Sequence, residues 1–123
     1  MANGTVFDVK SALDAKAKYI QDSLVDLGLA ANGVIARTGN IITMYIEKPT
    51  NPMTQNVSYN VGALPNKYIP YGAMNNNRFE ANGRDYYVSI VGSVITLTTP
   101  NALPSTGIPN IQDYITWSAK YAI

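Results

Sequence analysis

The stretch Val34-Ile35-Ala36-Arg37-Thr38-Gly39-Asn40-Ile41-Ile42-Thr43-Met44-Tyr45-Ile46 decides the fold class. Two runs rich in β-branched and apolar residues flank Gly39-Asn40, a two-residue connection suited to a tight antiparallel hairpin. On the second arm the period of two places Ile42, Met44 and Ile46 on one face. Lys48 to Pro52 breaks the run with two prolines and reads as a loop.

The same pattern repeats downstream. Asn56-Val57-Ser58-Tyr59-Asn60-Val61 alternates apolar with polar, as a half-buried strand does. Leu64-Pro65 through Ile69-Pro70 is held extended by its prolines, and a polar stretch, Asn75-Asn76-Asn77-Arg78, follows. Asn82-Gly83 is a type I′ turn signal feeding Arg84 to Val91, and Gly92-Ser93 turns that strand into Val94 to Thr99. Pro100 to Pro109 is a long proline-bearing connection. A last strand spans Tyr114 to Tyr121, with Ile115, Trp117, Ala119 and Tyr121 on one face. About six or seven short strands with turns at this spacing predict an antiparallel β-sandwich or barrel, a head domain over residues 31–123.

Residues 1–30 read differently. They hold seven of the seventeen charged residues, no Pro and one of the nine Tyr. Thr5 as N-cap, Asp8 in the first turn and Gly28 after the last apolar residue predict a helix over Val6 to Leu27. Val6, Leu13, Ile20 and Leu27 recur every seven residues, with Ala17 and Leu24 interleaved, the spacing of a coiled-coil seam. The narrow stripe favours a parallel bundle with copies of the chain, a stem roughly 30 Å long. The alternative is an amphipathic helix lying on the domain's own sheet.

Composition removes most enzyme classes. The 123 residues are 46% hydrophobic and 14% charged, with no His, no Cys and a net charge of +1. No Ser–His or Cys–His pair, imidazole metal ligand or disulfide is available. The charge gives no footprint for nucleic acid or an anionic membrane. No apolar run reaches the ~20 residues of a membrane span, and Met1-Ala2-Asn3-Gly4 lacks the character of a signal peptide. Glu80 and Asp85 flank the Asn82-Gly83 turn and suggest a glycosidase pair, but Arg78 and Arg84 beside them favour ordinary rim charges. The expectation is a protein that is not an enzyme and uses no metal or cofactor.

Four pieces occur in order: Arg37-Thr38-Gly39-Asn40-Ile41-Ile42-Thr43, Leu64-Pro65 with Tyr68-Ile69-Pro70, Val88 through Leu97 around Gly92-Ser93, and the closing Tyr/Thr/Trp strand. Together they resemble the C-terminal β-domain of bacteriophage tail fibre and baseplate receptor-binding proteins, over residues 33–121. Ile69 stands where that family often carries Arg. The resemblance implies a homotrimer, three β-domains around one axis beneath a helical stem seamed by Val6, Leu13, Ala17, Ile20, Leu24 and Leu27. It implies a tail-tip or baseplate protein of the virion, made in the bacterial cytoplasm and acting outside the cell. Its partner would be a host cell-wall or surface saccharide, with no nucleic acid and no membrane insertion. The alternative role is a structural adaptor that organises neighbouring tail proteins.

Saccharides are held by aromatic faces and by Asn, Asp and Arg groups that bond hydroxyls. The densest such cluster is the Asn75-Asn76-Asn77-Arg78 stretch with Glu80, Arg84 and Asp85 across the Asn82-Gly83 turn, from which Asn75, Asn77, Arg78, Arg84 and Asp85, with Tyr86, are the candidate ligand-binding residues; an ordinary solvated loop is the alternative. Tyr86 and Tyr87 point to opposite faces of one strand, so at most one lines a given site. Trp117, in register with Ile115 and Ala119, reads as a core or interface residue.

Overall fold

A computed structural model describes residues 19–50, 53–81, 83–101 and 112–122, which form eight strands. These are β1 (Tyr19–Ser23), β2 (Ala31–Thr38), β3 (Ile41–Pro49), β4 (Tyr59–Ala63), β5 (Met74–Ala81), β6 (Arg84–Val91), β7 (Val94–Thr98) and β8 (Asp113–Ser118). They make two four-stranded antiparallel sheets, ordered β1-β2-β3-β8 and β4-β7-β6-β5.

The central hairpin forms as its residues dictate. Gly39 takes the left-handed turn conformation at φ +58°, and Thr38 pairs with Ile41, Arg37 with Ile42 and Ile35 with Met44. Ile35, Ile42, Met44, Ile46 and Trp117 of the first sheet join Val61, Tyr86, Val88, Ile90, Ile95 and Leu97 of the second in one buried cluster. The two inner faces therefore share a core, the sandwich arrangement that alternation predicts. Burying each aliphatic side chain contributes about 1.5–3 kcal/mol.

Three sequence expectations need correction. The helix predicted through Leu27 does not run over residues 19–27, which form β1 and a turn; residues 6–18 lie outside the described residues. Pairing of Tyr19–Ser23 with Val34–Thr38 supplies a ladder that overrides local helix propensity, and Tyr and Ile are good strand formers. One α-type bond, Leu27 N–H to the Ser23 carbonyl at 3.1 Å, and one 3₁₀-type bond, Gly28 N–H to the Val25 carbonyl at 2.9 Å, form the turn that Gly28 closes at φ +79°. Second, the segment between Pro65 and Pro70 is not extended throughout, because Asn66–Tyr68 is a 3₁₀ turn. Third, the polar run Asn75 to Arg78 is not a solvated loop but part of edge strand β5, bulged between Met74 and Asn77. The connection at Pro100 to Pro109 lies almost wholly outside the described residues.

Arg37 explains why the motif segments meet. Its position on β2 faces inward and the side chain is only 1% exposed. Nε donates to the Gly39 carbonyl at 2.7 Å, one terminal nitrogen to the Lys67 carbonyl at 2.6 Å, and the other to the Tyr121 carbonyl at 2.6 Å and Asn40 Oδ1 at 3.4 Å. The planar guanidinium fork thus ties the hairpin turn, the Leu64–Pro70 segment and the end of the chain together. Trp117 adds a parallel tie, its indole N–H donating to the Tyr68 carbonyl at 2.9 Å.

A carboxylate sits at the adjacent edge. Asp22 pairs with Ile35 in register, and it accepts the Tyr68 hydroxyl at 2.5 Å and lies 2.9 Å from Lys67 Nζ. The Tyr68 hydrogen bond, seconded by Lys67, holds the Asp22 carboxyl below its ordinary 3.8. Burial and the same carboxylate push the Tyr68 phenol up. A lowered carboxyl stabilises the fold above the ordinary carboxylate range, and that contribution is lost as pH falls through the lower native value. The raised phenol stabilises below pH 10 and loses its contribution as alkali ionises it. Asp22→Asn is expected to cost about 1 kcal/mol at neutral pH and to flatten the acid limb of the stability profile. Urea unfolding across acid and neutral pH, followed by Trp117 emission, checks this; an unchanged acid limb refutes it.

Candidate functional site

The alternation of β6 builds the site. Tyr86, Val88 and Ile90 are buried, which turns Asp85, Tyr87, Ser89 and Val91 to the outer face. In register, Tyr87 lies between Arg78 of β5 and Thr98 of β7. Ser58, just before β4, shares a 3.0 Å hydroxyl hydrogen bond with Thr98. On the other side the β5 bulge places Asn76 at φ +50°, a left-handed conformation that asparagine tolerates. Asn76 N–H donates to Ser89 Oγ at 2.8 Å, which anchors the bulge on β6.

Ser58, Asn76, Tyr87 and Thr98 line an open groove of about 390 Å³. Its chemistry is one phenol ring with hydroxyls and an amide beside it, and none of these four side chains is charged. Arg78, the β5 register partner of Tyr87, donates from Nε at 3.0 Å and a terminal nitrogen at 2.7 Å to Asp85 Oδ1, with Glu80 at 3.7 Å. The Asp85 hydrogen bond and charge raise the Arg78 guanidinium's pKa, holding it charged. Glu80 and Asp85 face each other across β5 and β6, and Arg78 engages both. Among the described residues no group of three or more His, Cys, Asp or Glu side chains is arranged to hold a metal ion.

Of the residues singled out from sequence, Arg78 and Asp85 are brought together on this outer face. Asn75 is exposed on the bulge, and Arg84 is half-buried at the start of β6. Asn77 pairs with Val88, a core residue, and its Nδ2 donates to the Val88 carbonyl at 3.3 Å, so it faces away from the groove. Tyr86 is fully buried in the core and offers no aromatic face to a ligand. Tyr87 takes that place. Its neighbours Ser58 and Thr98 escape the sequence reading because they come from segments distant in sequence. Tyr86, however, shares parity with Val88 and Ile90, a signal that assigns it to the apolar side.

The seam residues fare similarly. Val6, Leu13 and Ala17 lie outside the described residues. Leu24 is fully buried, and Ile20 and Leu27 pack against the same cluster, so all three serve this chain's own core rather than an inter-chain seam. Ile69 is also buried. Comparison with protein families, curated proteins and solved structures finds no match for this chain.

Proposed function

We propose that the chain is a non-catalytic, saccharide-binding receptor module of a bacteriophage tail or baseplate, working as a homotrimer at the host surface. The observation that carries the reading is the Tyr87 groove: a half-buried aromatic residue lining it together with Ser58, Thr98 and Asn76 on the outer face of the second sheet. Such a set offers a stacking face for sugar C–H groups and donors and acceptors for sugar hydroxyls. The tail assignment draws on the sequence motifs, whose Arg37 and Leu64–Pro70 segments meet through Arg37 and the Lys67 carbonyl. Glu80 and Asp85, both held by Arg78, favour binding over hydrolysis.

Sedimentation of the chain with purified bacterial cell-wall preparations tests this. Tyr87→Ala is expected to weaken binding about tenfold, while Trp117 emission and native mass stay those of the wild type. Absence of binding to any wall preparation, or equal binding by Tyr87→Ala, sinks the receptor reading. A native mass other than three chains sinks the trimer.

A further inference from the structure

The charges beside the Tyr87 groove are arranged against an anion. The four lining side chains are uncharged, and the neighbouring outward row, Ser89 beside Thr96 and Thr96 beside Asn60, is uncharged too. Among the described residues that the second sheet turns to this face, the ionic ones are Arg78, Glu80 and Asp85, two carboxylates to one guanidinium. Arg78, directly across from Tyr87, directs Nε and one terminal nitrogen to the same Asp85 oxygen, and that terminal nitrogen lies 3.7 Å from Glu80. The other base of the hairpin, Arg84, has the inward parity of Tyr86 and Val88, and its charge bears on the buried Tyr86 phenol.

We propose, resting on the saccharide reading of the groove, that it takes a neutral, hydroxyl-rich glycan in preference to phosphate- or carboxylate-bearing ones, and that Asp85 and Glu80 set this preference by holding Arg78. An anionic group beside Tyr87 meets an excess of negative charge. To pair with Arg78 it must first displace Asp85 from two charge-assisted hydrogen bonds. Sugar hydroxyls need no such exchange, because Ser58, Thr98 and Asn76 both donate and accept. The preference thus comes from an element set against the wrong ligand as much as from contacts to the right one. Its size follows from exposure: the Arg78 and Glu80 side chains are 56% and 62% exposed, so a factor of roughly three to ten, screened by salt, is expected.

Competition for wall binding by the full chain tests the proposal. The competitors are glycans released from the wall by enzymatic digestion and split by anion exchange into neutral and anionic pools. The neutral pool is expected to displace the chain, and the anionic pool at equal sugar content to do so at least about threefold less well. Glu80→Gln with Asp85→Asn keeps both shapes and removes both carboxylates from Arg78. In that variant the anionic pool should gain about three- to tenfold against the neutral one, and roughly 0.5 M NaCl should erase the gain. Asp85→Asn alone should shift the ratio the same way by a smaller factor. The Asp85 N–H and carbonyl bond Asn101 and Thr99 through the backbone, contacts these changes leave in place, and Trp117 emission reports folding. A difference under about threefold between the pools, displacement by neither pool, or variants whose ratio does not move overturns the preference while wall binding stands. Absence of binding to any wall preparation instead removes the saccharide reading, and the preference with it.

Discussion

Arg37→Met is expected to destabilise the domain by about 3–5 kcal/mol, a large share of the roughly 5–15 kcal/mol that holds a small domain folded. Methionine fills much of the side-chain volume, so the loss is not chiefly a cavity. What it leaves behind is decisive: the Gly39, Lys67 and Tyr121 carbonyls lose the donors that meet them at 2.6–2.7 Å. An acceptor left without a partner costs about 1–3 kcal/mol when buried, and the part-buried setting of these three places each toward the lower end. Relief from holding a guanidinium in the interior offsets part of that total, which places the net at the lower end of the range. Arg37→Lys keeps the charge but replaces a planar fork with one ammonium, and its reach does not span three divergent carbonyls. It should recover less than half of the loss. Urea unfolding followed by Trp117 emission measures both; a change under about 1 kcal/mol for Arg37→Met refutes the role assigned to the fork.

Gly33→Ala is expected to be comparably severe, about 3–5 kcal/mol, for a different reason. Gly33 sits at the β2 bulge with φ +148°, a conformation that L side chains rarely adopt. A Cβ there would stand 2.0 Å from the Tyr45 carbonyl oxygen and 2.9 Å from Leu24 Cδ1. The first neighbour is backbone in the central hairpin and has no free movement; the second is a core side chain. Gly39→Ala separates strain from collision. Its φ of +58° is also unfavourable, yet nothing lies within 4 Å, so about 1–2 kcal/mol is expected. Equal losses at the two positions would show that close approach to Tyr45 contributes nothing.

The sequence made the β-rich architecture legible where contacts are local. The Gly39-Asn40 and Gly92-Ser93 hairpins join strands whose own alternation sets their register, and Ile42, Met44 and Ile46 face inward as the period of two requires. Residues 19–27 were not legible in the same way. Their heptad spacing is compatible with a helix, whereas the strand they form depends on pairing with Val34–Thr38 and on a place for Leu24 in the core. Arg37 illustrates the same limit. A charged residue in a strand ordinarily marks the wet face, and only the convergence of Lys67 and Tyr121 carbonyls from distant segments reverses that reading. For the site, Arg78 and Asp85 follow from one hairpin, whereas Tyr87 stands where the sequence points to Tyr86, and Ser58 and Thr98 enter from the segment before β4 and from β7, a juxtaposition that periodicity does not encode.

The Arg37 ties also bear on how this chain tolerates divergence. Three of the four acceptors are main-chain carbonyls, present whatever residue stands at positions 39, 67 and 121. Substitution drift at Lys67 and Tyr121 therefore leaves the guanidinium's hydrogen bonds in place, whereas drift at Arg37 removes them all at once. Within this tie Arg37 is thus the one side chain whose identity the three main-chain hydrogen bonds require, as Gly33 is required by its backbone conformation.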